Sequence, residues 1–218
     1  MNLSCQPQSK KLIGLLGGTF DPIHLGHLDI AKKVLAKNYL EEIQFIPNRK
    51  PPHKHPRSTI KDRLAMMILA LKNKTGFVLN ETEIQRPSPS YTIDTVKLLK
   101  TEFENKILCF ILASDAFATF NTWHDWKDIL TYCHLIVVYR PDFPIPTESW
   151  TINLLKEREI KNPSQLTEKE AGYIIVENVS PSRISATKIR EEIAQGRYPK
   201  GMLPASVLDY IKEHHLYK

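Results

Sequence analysis

Residues 17–27 read Gly-Gly-Thr-Phe-Asp-Pro-Ile-His-Leu-Gly-His and bring together the groups that an anion site needs. Gly17 and Gly18 let a backbone bend and come close to a ligand, and Gly26 removes a side chain where a helix would start. The free amides of that first turn, with the positive end of the helix dipole, favour an anion. His24 and His27 stand three apart, so from one opening turn they project to the same side. Two imidazoles placed so can donate hydrogen bonds to phosphoryl oxygens. The same spacing also suits metal ligation, for which His53 or His55 in Pro51-Pro52-His53-Lys54-His55 offers a further ligand. The segment lacks the Gly-Lys-Ser/Thr of a Walker A loop and is not Gly-x-Gly-x-x-Gly, which argues against P-loop hydrolysis and a dinucleotide fingerprint.

Such a loop must be carried by a rigid frame, and the surrounding pattern describes one. Residues 11–16 form an apolar run, and Leu28, Ala31, Val34 and Leu35 recur at helical spacing over 25–37, giving strand, loop, helix. A strand is expected at 43–46. A helix follows through Ile60, Leu64, Met67, Ile68 and Leu71, capped by Thr59 and Asp62. Strands are expected at 77–79, 107–112, 134–139 and 173–176. Helices are expected at 91–103, around 126–130, at 185–195 closed by Gly196, and at 205–214. Strands alternating with helices require right-handed parallel crossovers, so the expected fold is α/β, a doubly wound, mostly parallel sheet with helices on both faces. In such a sheet the ligand lies beyond the carboxyl ends of the strands, where the first strand passes to the first helix. The organisation expected is an N-terminal extension over 1–9 and a single domain over 10–218, with 140–172 an insertion or surface excursion because its prolines and charges break the pattern.

Composition narrows the partners. With 218 residues, 42% hydrophobic and 25% charged, the chain has ordinary globular proportions. No apolar run nears the roughly 18 to 20 residues that span a bilayer, so no membrane partner and a cytoplasmic setting are expected. Cys5, Cys109 and Cys133 are odd in number and unclustered, and read as core filler in a reducing compartment. The net charge of +6 favours anionic partners, and its spread along the chain suits a phosphate-bearing small molecule. A nucleic-acid-binding module is the alternative from another class; an RNP-like aromatic pair, a clamp in KH-like context and a basic helix are all missing, so no nucleic acid is expected. A monomer or a small homo-oligomer is compatible with all of this.

Gly-Thr-Phe-Asp-Pro-x-His-x-Gly-His at 18–27 resembles the signature of the nucleotidyltransferase superfamily of adenylyl- and cytidylyltransferases. Eight specified positions at about one in twenty each give a chance match on the order of one in 10^10. Further segments resemble the nicotinate-nucleotide adenylyltransferases: Ile46-Pro47-Asn48, Ser90-Tyr91-Thr92, Thr122-Trp123, Arg140-Pro141, residues 184–190 and Leu216-Tyr217. The resemblance covers about residues 11–218 and implies a Rossmann-like nucleotidyltransferase fold. The activity it implies is transfer of AMP from ATP to nicotinate mononucleotide, with Mg2+ delivered with ATP and no dedicated carboxylate cage for the metal. It places Gly17, Gly18, Thr19, Phe20, His24, Gly26 and His27 at the ATP phosphates, with Lys54 adding charge. Ser185, Thr187 and Arg190 would hold the leaving pyrophosphate; Ser185 is itself a plausible N-cap, and Arg190 about 1.4 turns on is a bidentate donor. Asp115 would sit near a ribose hydroxyl, in a Gly-x-Asp position where Ala113 replaces the glycine. On the acceptor side stand Asn48, Trp123 as a face for the pyridinium, and Thr92 and His124 near its carboxylate. Within the superfamily the alternatives are nicotinamide mononucleotide and phosphopantetheine adenylyltransferases, the latter usually carrying Thr where His24 stands and lacking the Trp123 segment.

Overall fold

Side chains of a strand alternate between faces, so a strand covered by helices on both sides must be apolar at nearly every position. The segment KLIGLLGG meets that demand and forms β1 (Lys11–Gly18). In a computed structural model that describes residues 11–50, 55–87, 89–140, 142–179 and 184–218, Leu12 and Leu16 pack on one face of β1 and Ile13 and Leu15 on the other. The remaining strands are β2 (Leu40–Pro47), β3 (Phe77–Leu79), β4 (Lys106–Ala113), β5 (His134–Val138), β6 (Glu159–Ile160) and β7 (Ile174–Glu177). They form one sheet of order β3-β2-β1-β4-β5-β7-β6 with every strand pairing parallel. The order turns back between β1 and β4, and this is the crevice where a doubly wound sheet takes its ligand.

Helices follow in chain order as α1 (Leu25–Leu35), α2 (Ile60–Leu71), α3 (Thr82–Gln85), α4 (Thr92–Glu102), α5 (Ser114–Phe117), α6 (Trp126–Tyr132), α7 (Ser149–Arg158), α8 (Ala186–Ala194) and α9 (Ala205–Glu213). Their apolar stripes sort them by face. α1, α2, α8 and α9 pack on one side through Leu28, Met67, Ile189 and Ile211, and α4, α6 and α7 on the other through Val96, Ile129 and Leu154. Expected caps form as the sequence indicates. Thr59 and Asp62 make a capping box at α2, Ser185 caps α8, and Gly196 takes φ +74 after α8.

The differences from the expectation are local. β1 runs through Gly18, with Gly17 opposite Ile46 and Gly18 opposite Pro47, so these glycines extend a strand and do not bend the chain. Neither has a positive φ. β2 begins at Leu40, earlier than its apolar centre indicates, and the short α3 had no periodicity to announce it. The stretch 140–172 carries α7, a 3-10 turn at Pro163–Thr167, and β6, which pairs with β7. Thr151, Leu154, Ile160 and Leu166 are buried there, too few and too widely spaced for a window of sequence to show a period. Cys109 and Cys133 are buried free thiols, while residues 1–10, with Cys5, lie outside the described residues.

Candidate active site

The turn from β1 to α1 is built on close approach. A Cβ at Gly18 would lie 3.0 to 3.2 Å from the ring of Phe20, which folds back beneath the strand end and is buried. Phe20 itself takes φ +49, a left-handed conformation that costs a non-glycine residue energy and persists only where the surroundings impose it. One such surrounding is Arg63, 1% exposed, which donates to the carbonyls of Thr19 at 2.8 Å, Asn48 at 2.7 Å and Arg49 at 3.2 Å. A second is Asp21, 4% exposed, whose carboxylate accepts from the Arg57 amide at 2.6 Å, the Tyr217 hydroxyl at 2.7 Å and the Ser58 hydroxyl.

His24 is the N-cap of α1 and His27 stands three residues on, so the helix start brings both imidazoles to one side. Their rings stack with centroids 3.7 Å apart, and the edge of Phe20 meets His27 at 5.0 Å. His27 Nδ1 accepts from the His24 amide at 3.3 Å, which leaves Nε2 as the nitrogen that carries the proton of a neutral ring. Burial, helped by the Arg140 cation, lowers the His24 pKa to about 4, so this ring is neutral at physiological pH. A Cβ at Gly26 would lie 3.0 Å from His24 Nδ1 and 3.3 Å from the carbonyl of Ile184, so glycine here lets α1 meet the segment that leads into α8. Of the first-turn amides, that of Leu25 is already taken up by the Met202 carbonyl at 2.9 Å.

Arg190 reaches back from α8 to the same loop, donating through Nη1 to the Asp21 carbonyl at 2.6 Å and through Nη2 to Thr187 Oγ1 at 3.2 Å. Ser185 and Thr187 are exposed beside it, Ser185 accepting from the Lys188 amide at 3.2 Å. At the end of β4, Ala113 has φ −80 and ψ 160, a conformation open to any residue, so replacing glycine costs nothing there. Asp115 follows in α5 and meets Arg140 from the end of β5 at 3.4 Å.

Asn48, Thr92, Trp123 and His124 are carried by different elements. The Trp123 ring is partly buried, with Phe110 and Phe120 edge-on at 6.0 and 5.4 Å, and Phe110 in turn lies 3.4 Å from where a Gly17 Cβ would stand. His124 packs on Tyr91 with centroids 4.3 Å apart, which brings it beside Thr92 at the start of α4. Asn48 donates to Glu83 at 2.8 Å, so its side chain fastens the end of β2 to α3. Burial raises the Glu83 pKa, and hydrogen bonds from Asn48, Thr95 and Ser90 offset part of that. Lys54, with His53, lies outside the described residues.

Sequence reasoning passed over Arg63, Glu83, Asp21 and Arg140 as individual residues. Arg63 could have been found as a cation on the apolar stripe of α2, three residues from both Ile60 and Met66. Arg140 could have been found as a cation just past the apolar β5, at the ligand-facing end of a strand.

Among the described residues, five buried side-chain polar atoms have no hydrogen-bond partner: His24 Nδ1, Arg63 Nε, Asp115 Oδ1, Thr151 Oγ1 and Arg190 Nε. All but Thr151 belong to the groups just described. Leaving such an atom unsatisfied costs about 1–3 kcal/mol, so four of the five falling on residues of the β1–α1 turn and the segments around it mark those groups as open to a further partner. Among the described residues no cluster of three His, Cys, Asp or Glu side chains could hold a metal ion.

Comparison with known proteins places the chain in a family. Residues 15–192 match the model of the family described as Cytidylyltransferase-like. A Coxiella burnetii protein named "Probable nicotinate-nucleotide adenylyltransferase" is 46% identical over 95% of this chain and 98% of its own. One of the same name from Aeromonas salmonicida is 42% identical over 96% and 98%. The structure of Plasmodium falciparum nicotinic acid mononucleotide adenylyltransferase complexed with NaAD shares the fold, with a TM-score of 0.76 at 20% identity over 95% of this chain and 97% of that one.

The buried, neutral His24 sets a pH dependence. Its folded pKa of about 4 lies below the ordinary 6.5, so as pH falls the unfolded chain takes up the proton first and the folded state loses stability between about pH 6.5 and 4. The loss attributable to this ring is roughly 3 kcal/mol. Urea titrations across that range should show a flatter dependence in His24→Asn than in the unaltered protein; parallel curves would mean that His24 is charged in the folded state.

The loop, the paired imidazoles and the matched relatives converge on one assignment: the chain belongs to the cytidylyltransferase-like family and, within it, to the nicotinate-nucleotide adenylyltransferases.

Proposed function

We propose that this chain joins AMP from ATP to nicotinate mononucleotide, giving nicotinate adenine dinucleotide and pyrophosphate. The observation that carries this reading is the stacked pair of imidazoles at the start of α1, with His24 Nδ1 buried and unpartnered and Arg190 reaching the same loop with its own Nε unpartnered. The reaction needs no protein nucleophile. A phosphate oxygen of the mononucleotide bonds to the α-phosphorus as its bond to the bridging oxygen of pyrophosphate breaks. Charge then lies on non-bridging oxygens, and positioning with preorganised donors lowers the barrier.

On this reading His27 donates through Nε2 to the α-phosphoryl oxygens, and His24 adds a second imidazole. An anion beside His24 raises its proton affinity, which opposes the effect of burial. Gly17, Gly18, Thr19, Phe20 and Gly26 shape the cradle. Arg190, with Ser185, Thr187 and Lys54, holds the β- and γ-phosphates, and Asp115 takes a ribose hydroxyl. Trp123 offers its face to the pyridinium, the start of α4 at Thr92 and His124 meet its carboxylate, and Asn48 lies at the edge of that pocket.

The residues present fit a magnesium ion brought by the nucleotide. Both Asp21 oxygens are engaged by Arg57, Ser58 and Tyr217, so phosphate oxygens and water would hold the ion. When bound it neutralises charge on the leaving pyrophosphate. A reducing cytoplasm is the setting that suits the buried free thiols of Cys109 and Cys133.

The test of the acceptor is pyrophosphate release from ATP with nicotinate mononucleotide, nicotinamide mononucleotide and phosphopantetheine in turn. The acid mononucleotide should give the highest kcat/KM; equal or faster turnover with phosphopantetheine would refute the assignment. His27→Ala should lower kcat by roughly 10^2 to 10^3 while costing no more stability than a lost helix cap, about 1 kcal/mol. Normal turnover in that variant would remove His27 from the mechanism. Arg190→Ala should raise the KM for ATP at least tenfold, as loss of a charged phosphate contact does, and an unchanged ATP dependence would make it a bystander.

A further inference from the structure

We propose that Tyr217 is a positioning residue for adenylyl transfer, acting through Asp21 on the phosphate-facing guanidinium of Arg190; this rests on the reading of the site given above. Tyr217 follows α9, and the chain reaches it through two left-handed residues, His215 at φ +52 and Tyr217 itself at φ +65. Side chains of this size rarely adopt that region, so a specific interaction must hold them there. The interaction found is a hydrogen bond from the Tyr217 hydroxyl to Asp21 Oδ1 at 2.7 Å, with Ser58 Oγ at 3.2 Å. Burial and the neighbouring Asp21 carboxylate raise the Tyr217 pKa, which keeps the hydroxyl a donor throughout the working range.

Asp21 connects the two ends of this device. Its carboxylate is fixed by Tyr217, Ser58 and the Arg57 amide, and its own carbonyl receives Arg190 Nη1 at 2.6 Å. The residue whose carbonyl aims Arg190 is thus restrained through its own side chain. With Nη1 on Asp21 and Nη2 on Thr187, the guanidinium is held on two edges while its buried Nε stays unpartnered. A phosphate would meet a donor already set in place, and preorganisation of that kind saves the ordering cost of binding.

Anchoring the helix is a different task and has its own contacts. α9 is seated on the sheet by Val207, Leu208 and Ile211, and Tyr210 donates to Asp62 at the start of α2 at 3.0 Å. Removing the Tyr217 hydroxyl therefore leaves α9 in place and takes away one of the three donors that fix the Asp21 carboxylate.

Calorimetric titration with a non-hydrolysable ATP analogue, without acceptor, tests the proposal. Tyr217→Phe should weaken the analogue roughly tenfold when Arg190 is present and less than twofold in an Arg190→Ala background. Tyr210→Phe, the control for loosening of α9, should change affinity less than twofold. Equal weakening by Tyr217→Phe in both backgrounds, no weakening in either, or as large an effect from Tyr210→Phe would overturn it. Because no acceptor is present, the outcome stands whether or not nicotinate mononucleotide proves to be the substrate.

Discussion

A cation buried beneath the turn between β1 and α1 is the constraint from which the rest of the site follows. Arg63 holds the carbonyls of Thr19, Asn48 and Arg49, so the ends of β1 and β2 are clasped by one guanidinium. Breaking that clasp would strand a charge in the interior, which costs several kcal/mol. Asp21, the nearest counter-charge, is itself saturated by donors from before α2 and after α9. The turn is therefore held from two sides, and with it the left-handed Phe20 and the imidazoles that follow.

The sheet decides what the held turn can reach. With β1 central and the strand order reversing beside it, α1 and α8 start at one crevice, while α4, α5 and a 3-10 turn at Phe120–Thr122 open on the other side of the same strand ends. On the proposed reading the triphosphate lies on the first side and the pyridine nucleotide on the second. Arg140, which acts on both His24 and Asp115, stands between them. Two anions would then meet over a surface whose donors are already aligned, the physical requirement of a transfer that uses no protein nucleophile.

Much of this was legible in the residues alone, for identifiable reasons. β1, β4 and β5 announce themselves because strands covered on both faces are apolar at successive positions, and α2 because Thr59 and Asp62 cap it within a clear stripe. His24, Gly26 and His27 are close in sequence, so their juxtaposition at a helix start follows from helical geometry. What could not be read depends on contacts far apart in the chain. Arg63 acts across 44 residues on Thr19, and Tyr217 across 196 on Asp21. The role of Gly18 was misread because nothing local reveals that the Phe20 ring would fold against it. The stretch 140–172 hid its strand because an edge pair of two residues carries no period.

The most direct measurement is a crystal structure with a non-hydrolysable ATP analogue bound. The account requires its phosphates to lie over the start of α1, with His24 Nδ1 and Arg190 Nε gaining phosphoryl oxygens as partners and the Arg63 clasp unchanged. Phosphates seated elsewhere, with those two atoms still unsatisfied, would contradict it.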